Sequence, residues 1–172
     1  KPGETIDVMV SSDHGSCTLE IVRLGAQAQV IETHALSDLA IQPIPEDVGR
    51  NGCDWKPTVQ ITIQDEWTSG FYRLQLGNDH DTADAFFVVK ATKPGNALLV
   101  LSTTTYAAYN DWNAPSFYTG GHESSMKRPL PPGFLTKDQP ARFRAANAIE
   151  LPRDERRAHF AHHSYWSVAA GY

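Results

Sequence analysis

ALLVLSTTTYAAYNDWNAPSFY, residues 97–118, carries the reading on which the fold class turns. Its first five residues, Ala97 to Leu101, form an unbroken apolar run, the pattern of a strand covered on both faces in a parallel sheet. Sheets of that kind bind ligands just beyond the carboxyl ends of their strands. The hydroxyl- and amide-rich segment that follows, with Tyr106, Tyr109, Asn110, Asp111, Trp112 and Asn113, is therefore expected at the mouth of a site. The competing expectation for the same residues is a surface loop with aromatics packed beneath it.

Upstream of this junction the pattern changes from continuous to alternating. Ile6, Val8 and Val10 alternate with polar neighbours over Thr5 to Ser11, and Asp13, His14 and Gly15 close that segment with a turn. Further strands are predicted at Cys17 to Leu24, Gln27 to Glu32, Thr58 to Gln64, Gly70 to Leu76 and Asp84 to Lys90. Short strands with regular turn residues between them predict an antiparallel β-sandwich of immunoglobulin-like type over residues 1–92. Three prolines and two glycines between Ile41 and Pro57 predict a long loop there. Lys93, Pro94 and Gly95 mark a boundary, and residues 96–172 read as the N-terminal part of an α/β domain.

Downstream, the proline-rich stretch from Ser124 to Pro140 reads as an extended loop, followed by helices near Ala141 to Ile149 and Arg153 to Ala169. The second has Pro152 at its start and Asp154 and Glu155 in its first turn, where carboxylates favour the helix dipole. One apolar strand and two helices do not close a parallel sheet. The expectation is that the remainder of the domain, lost by truncation or processing, or another subunit supplies the missing strands, with an oligomeric assembly as the result.

Charge and composition exclude several classes. A formal net charge of −5, a pI near 5.8 and no basic run argue against a nucleic-acid surface and against an anionic membrane. The apolar runs are too short to span a bilayer, which predicts a soluble protein. Cys17 and Cys53 belong to no paired-cysteine motif, so a thiolate zinc site is not expected. Their scarcity favours reduced thiols and a cytoplasmic location, the alternative being a disulfide between them.

Several segments, taken in order, resemble one family. KPGETIDVMVSS (1–12), EWTSGFYRLQL (66–76) and AFFVVKA (85–91) are similar to strands of the small β-sandwich in the large (beta) subunit of N,N-dimethylformamidase and its bacterial relatives. LLVLSTTTYAAYNDWNAPSFY (98–118) resembles that family's first α/β strand and its tyrosine–asparagine motif, and RPLPPGFL (128–135) its proline-rich loop. The resemblance implies a part of an iron-dependent amidohydrolase, in which mononuclear ferric iron held by two tyrosinates and a glutamate activates water to cleave a small amide C–N bond. Phenolate and carboxylate oxygens are hard anionic donors suited to such an ion.

By this resemblance Tyr109 matches the motif tyrosine as one metal ligand, and Tyr172, or failing it Tyr165, is the second. Asn110, beside the motif tyrosine, and His122, in a loop able to reach the strand end, are the candidate catalytic side chains. The glutamate has no match: HHSYW (162–166) has a serine where the carboxylate is needed. Asn113, Ala114 and Pro115 stand where relatives often carry glycines.

Other patterns support other chemistry. Trp55, Trp67 and Trp112 suit a non-catalytic sandwich that recognises a saccharide or a protein partner, which is the alternative function. His159 and His163 share a helical face at a zinc-binding spacing, with no acidic residue in the place of a metalloprotease base. No G-x-S-x-G and no phosphate-cradling loop occur.

Overall fold

The structure is a computed structural model and describes residues 1–135. The two expected C-terminal helices, Tyr165, Tyr172 and the histidines from His159 onward lie outside the described residues.

The alternating segments become strands β1 (Thr5–Val8), β2 (Ser16–Leu24), β3 (Gln29–Ser37), β4 (Val59–Thr62), β5 (Gly70–Gly77) and β6 (Thr82–Val89). Every pairing among them is antiparallel, in a two-stranded sheet β1-β4 and a four-stranded sheet ordered β3-β2-β5-β6. All six strands predicted upstream of Lys93 occur, with β3 running on to Ser37 rather than ending near Glu32. Its extension follows from partnership: Cys17 and Ser16 of β2 offer free ladder positions to Leu36 and Ser37. Inside the expected loop of residues 41–57, one short helix forms, α1 (Val48–Asn51).

Period-two alternation sends successive side chains to opposite faces. On one face of the larger sheet, Leu19, Ile21, Tyr72, Leu74 and Val89 join Val8, Ile61 and Ile63 from the smaller sheet in a single buried cluster. Tyr72 is fully buried between Trp67, at a ring-centroid distance of 5.4 Å, and Phe87, at 5.2 Å. Its hydroxyl donates to the Thr68 carbonyl at 2.6 Å, so the polar tip of a core aromatic is satisfied by the corner that precedes its own strand. The other face carries Phe71 stacked on Phe86 at 5.1 Å.

That second face is covered by chain beyond β6. Helix α2 (Thr103–Tyr109) lays Tyr106 edge-on against Phe86 at 5.4 Å and against Phe134 at 6.2 Å. Seven residues of helix are marginal alone, so burial of Tyr106 with Phe134 and Leu135 is what holds α2 in place.

The strand expected at Ala97 to Leu101 does not form among the described residues. Leu98 is 86% and Val100 65% exposed, and the run pairs with no described strand. An apolar run adopts the buried-strand state only when neighbours on both edges accept its backbone hydrogen bonds, and here none does. No α/β layer is therefore present in residues 1–135. The segment read as a polar site mouth begins instead as helix, because Ala107 and Ala108 are strong helix formers and follow directly on the Ser102 and Thr103 start.

Candidate functional site

Helix α2 ends where the chemistry was expected to begin. Tyr109 is its last residue, half-buried, packed against the Tyr106–Phe134–Leu135 cluster and stacked on Tyr118 at 4.0 Å. Two phenol rings thus lie nearly parallel, and Tyr118 is 66% exposed. Asn110 leaves the helix in an extended conformation and is buried. Its amide nitrogen donates to the Pro129 carbonyl at 2.8 Å, and its amide oxygen accepts from the Trp112 backbone N–H at 2.9 Å. The loop that follows winds around buried Ser116, whose carbonyl accepts from Thr119 N–H at 3.0 Å and from Gly121 N–H at 2.8 Å.

Arg128 is the charge at the centre of this region. Its side chain is buried, and its Nη1 donates to the carbonyls of Trp112 at 3.1 Å and Ala114 at 3.4 Å. Its Nη2 donates to the Asn110 carbonyl and, at 3.1 Å, to Ser124 Oγ, which in turn donates to the Ala107 carbonyl inside α2. Burial pushes the Arg128 guanidinium below its ordinary range, and the nearby Asp111 carboxylate opposes that shift.

The same segment is tied to the loop around α1. Cys53 N–H donates to the Lys127 carbonyl at 2.6 Å, Ser125 N–H donates to the Gly49 carbonyl at 2.7 Å, and Arg50 Nε lies 3.5 Å from Glu123 Oε1. Gly52, at φ +77°, sits where any Cβ would collide with the Lys127 carbonyl oxygen. Between this loop, β1 and the β5–β6 hairpin opens a cleft of about 550 Å³ whose lining includes Trp55, Trp112, Cys53, Arg128 and Phe87. Trp55 and Trp112 meet edge to face at 5.9 Å on its wall. Both cysteines border the cleft as free thiols, and burial pushes both above the usual thiol range.

Of the expected site residues, Tyr109 and Asn110 adjoin one another at the end of α2, whereas His122 is exposed and makes no hydrogen bond, ion pair or ring contact among the described residues. None of the three lines the cleft. Tyr172 lies outside the described residues. Arg128 was not singled out by sequence reasoning: a single arginine ahead of prolines has no periodicity or spacing to mark it, and only the convergence of distant carbonyls gives it meaning. Among the described residues, no three His, Cys, Asp or Glu side chains come together in a way that could hold a metal ion, and no helix is long and apolar enough to cross a membrane.

A family model described as N,N-dimethylformamidase beta subunit-like, C-terminal, matches residues 18–168. No curated protein and no solved structure matches the chain significantly.

Proposed function

The chain belongs to the N,N-dimethylformamidase beta subunit-like, C-terminal family, and from that premise we propose that it forms part of an iron-dependent amidohydrolase acting on a small amide. The observation that carries the reading is the extent of the family match, which includes the whole tyrosine–asparagine segment at the end of α2. The donor chemistry is consistent with it in part. Tyr109 offers a half-buried phenol of the hard oxygen type that ferric iron prefers. On this reading Tyr172 is the second phenolate, and the carboxylate comes from the remainder of the α/β domain or from another subunit in an oligomer.

Ferric iron, when bound, would lend Lewis acidity to water and to the amide carbonyl. The chain's own residues do the rest. Tyr109 would hold such an ion as the phenolate, a form that a phenol takes at neutral pH only beside a cation. Asn110 would fix the turn that follows Tyr109 through its bonds to the Pro129 carbonyl and the Trp112 N–H, and His122, exposed on the loop beyond Tyr118, would carry a proton.

Three finer assignments belong to the same proposal. The strand order supports an immunoglobulin-like sandwich, with β1-β4 as one sheet and two hairpins joined through β2-β5 as the other. The Tyr72 hydroxyl bonded back to the Thr68 carbonyl supports the same reading, since tyrosine corners of that kind occur in such folds. The apolar run 97–101 becomes the first strand of the α/β sheet once neighbours are supplied, and a cytoplasmic location goes with the reduced thiols.

The test is elemental analysis with an absorption spectrum of the purified protein. Near-stoichiometric iron and a visible phenolate charge-transfer band, lost in Tyr109→Phe, are expected. Iron-free, colourless protein whose tryptophan fluorescence responds to a saccharide or protein partner would replace the amidase with a binding module, a reading favoured by the paired Trp55 and Trp112 on the cleft wall.

A further inference from the structure

We propose that Arg128 is a positioning residue that aims the Tyr109 phenol by clamping the backbone on both sides of it; this rests on the reading of Tyr109 as a ligand. The geometry is unusual for an arginine. Arg128 is only 6% exposed, yet it forms no ion pair with a carboxylate among the described residues and spends its terminal N–H groups on main chain and one hydroxyl. The carbonyls it gathers belong to Asn110, Trp112 and Ala114, the alternate residues of the segment leaving Tyr109. Through Ser124 it also reaches the Ala107 carbonyl in the turn that precedes Tyr109.

The grip is reciprocal. Asn110 donates its amide N–H to the Pro129 carbonyl at 2.8 Å, so the residue after Tyr109 holds the residue after Arg128. Burying a cation is costly, and here the gathered carbonyls and the nearby Asp111 carboxylate offset that cost, so the arginine and the backbone it grips are committed to one arrangement. What the arginine alone provides is a planar fork with several fixed donors, which spans carbonyls that a point charge reaches one at a time. A ligand phenol must be held within about 0.5 Å to form a productive site, and its backbone is the natural place to hold it.

The decisive comparison uses the full chain labelled with 3-fluorotyrosine, in wild type and in the charge-conserving Arg128→Lys. Tyr109→Phe and Tyr72→Phe assign the two resonances of interest. In Arg128→Lys the Tyr109 fluorine resonance is expected to shift or broaden while that of Tyr72, in the sandwich core, stays in place, and amide exchange over residues 108–119 quickens about tenfold. If iron is present, the charge-transfer band of Arg128→Lys shifts at equal iron content, with kcat falling more than KM rises. An unchanged Tyr109 resonance and unchanged exchange in folded Arg128→Lys would overturn the positioning role whether or not iron binds. A wild-type protein that takes up no iron would instead remove the amidase reading, and the fluorine and exchange data would still decide what Arg128 does. Arg128→Ala, should it fold, gives the larger displacement expected when every donor is lost.

Discussion

Tyr72 shows how one oxygen secures a core aromatic. Its ring is fully buried and would pack equally well as phenylalanine, but the Thr68 carbonyl would then lose its donor. Tyr72→Phe should therefore cost about 1 kcal/mol, the ordinary net worth of a buried hydrogen bond, read as a lower denaturant midpoint with an unchanged m-value. An unchanged midpoint would mean that water replaces the lost donor. Gly52 is constrained differently: its positive φ disfavours a side chain, and its missing Cβ makes room for the Lys127 carbonyl. Gly52→Ala is expected to destabilise by about 1–3 kcal/mol and to loosen the neighbouring Cys53-to-Lys127 hydrogen bond, visible as faster amide exchange at Cys53. Retained protection there would show that the loop shifts at no cost.

At the scale of elements, α2 depends on Tyr106. The helix has no side-chain cap at Ser102 and no charged residue in its first or last turn to favour its dipole, so its stability comes from the ring wedged between Phe86 and Phe134. Burial raises the Tyr106 phenol above its ordinary value of 10.0, and it raises Tyr72 likewise. A folded-state pKa above the unfolded one means that the native state holds the proton more tightly. The resulting stability is complete below about pH 10 and is lost as the pH climbs past it. Cys17 and Cys53, also raised by burial, begin the decline about one unit earlier, from an ordinary value of 9.0. Denaturation midpoints measured between pH 8 and 11 should fall with pH in wild type and fall less steeply in Tyr106→Phe. Parallel slopes would mean that Tyr106 ionises in the native state without strain.

At the scale of the whole molecule, two antiparallel sheets share one core, and the chain beyond β6 folds back over the free face of the larger sheet. That return path brings residues 124–130 against both the α1 loop and the end of α2, so a loop between β3 and β4 and the tyrosine–asparagine segment are fastened through one stretch of chain. The arrangement leaves Leu98, Val100 and Tyr118 exposed, in the segment where the proposed α/β sheet would begin.

What was legible in the amino acids was whatever depends on near neighbours in the chain. Alternation of Ile6, Val8 and Val10 and the Gly70 to Leu76 strand are set by local periodicity, and each appears in the structure close to its expected place. The motif around Tyr109 was legible as words in order, and the family match bears out that resemblance. The state of residues 97–101 was not, because a continuous apolar run records that a strand would be stable between neighbours and says nothing of whether neighbours are present. Arg128 was hidden for the same reason: its meaning lies in carbonyls 14 to 18 positions away, which a side chain gathers only after the chain has turned back on itself. Short-range pattern reports the propensity of a segment, whereas burial, pairing and the convergence of distant polar groups arise from packing, and it is packing that placed Tyr109, Asn110 and Arg128 in one cluster.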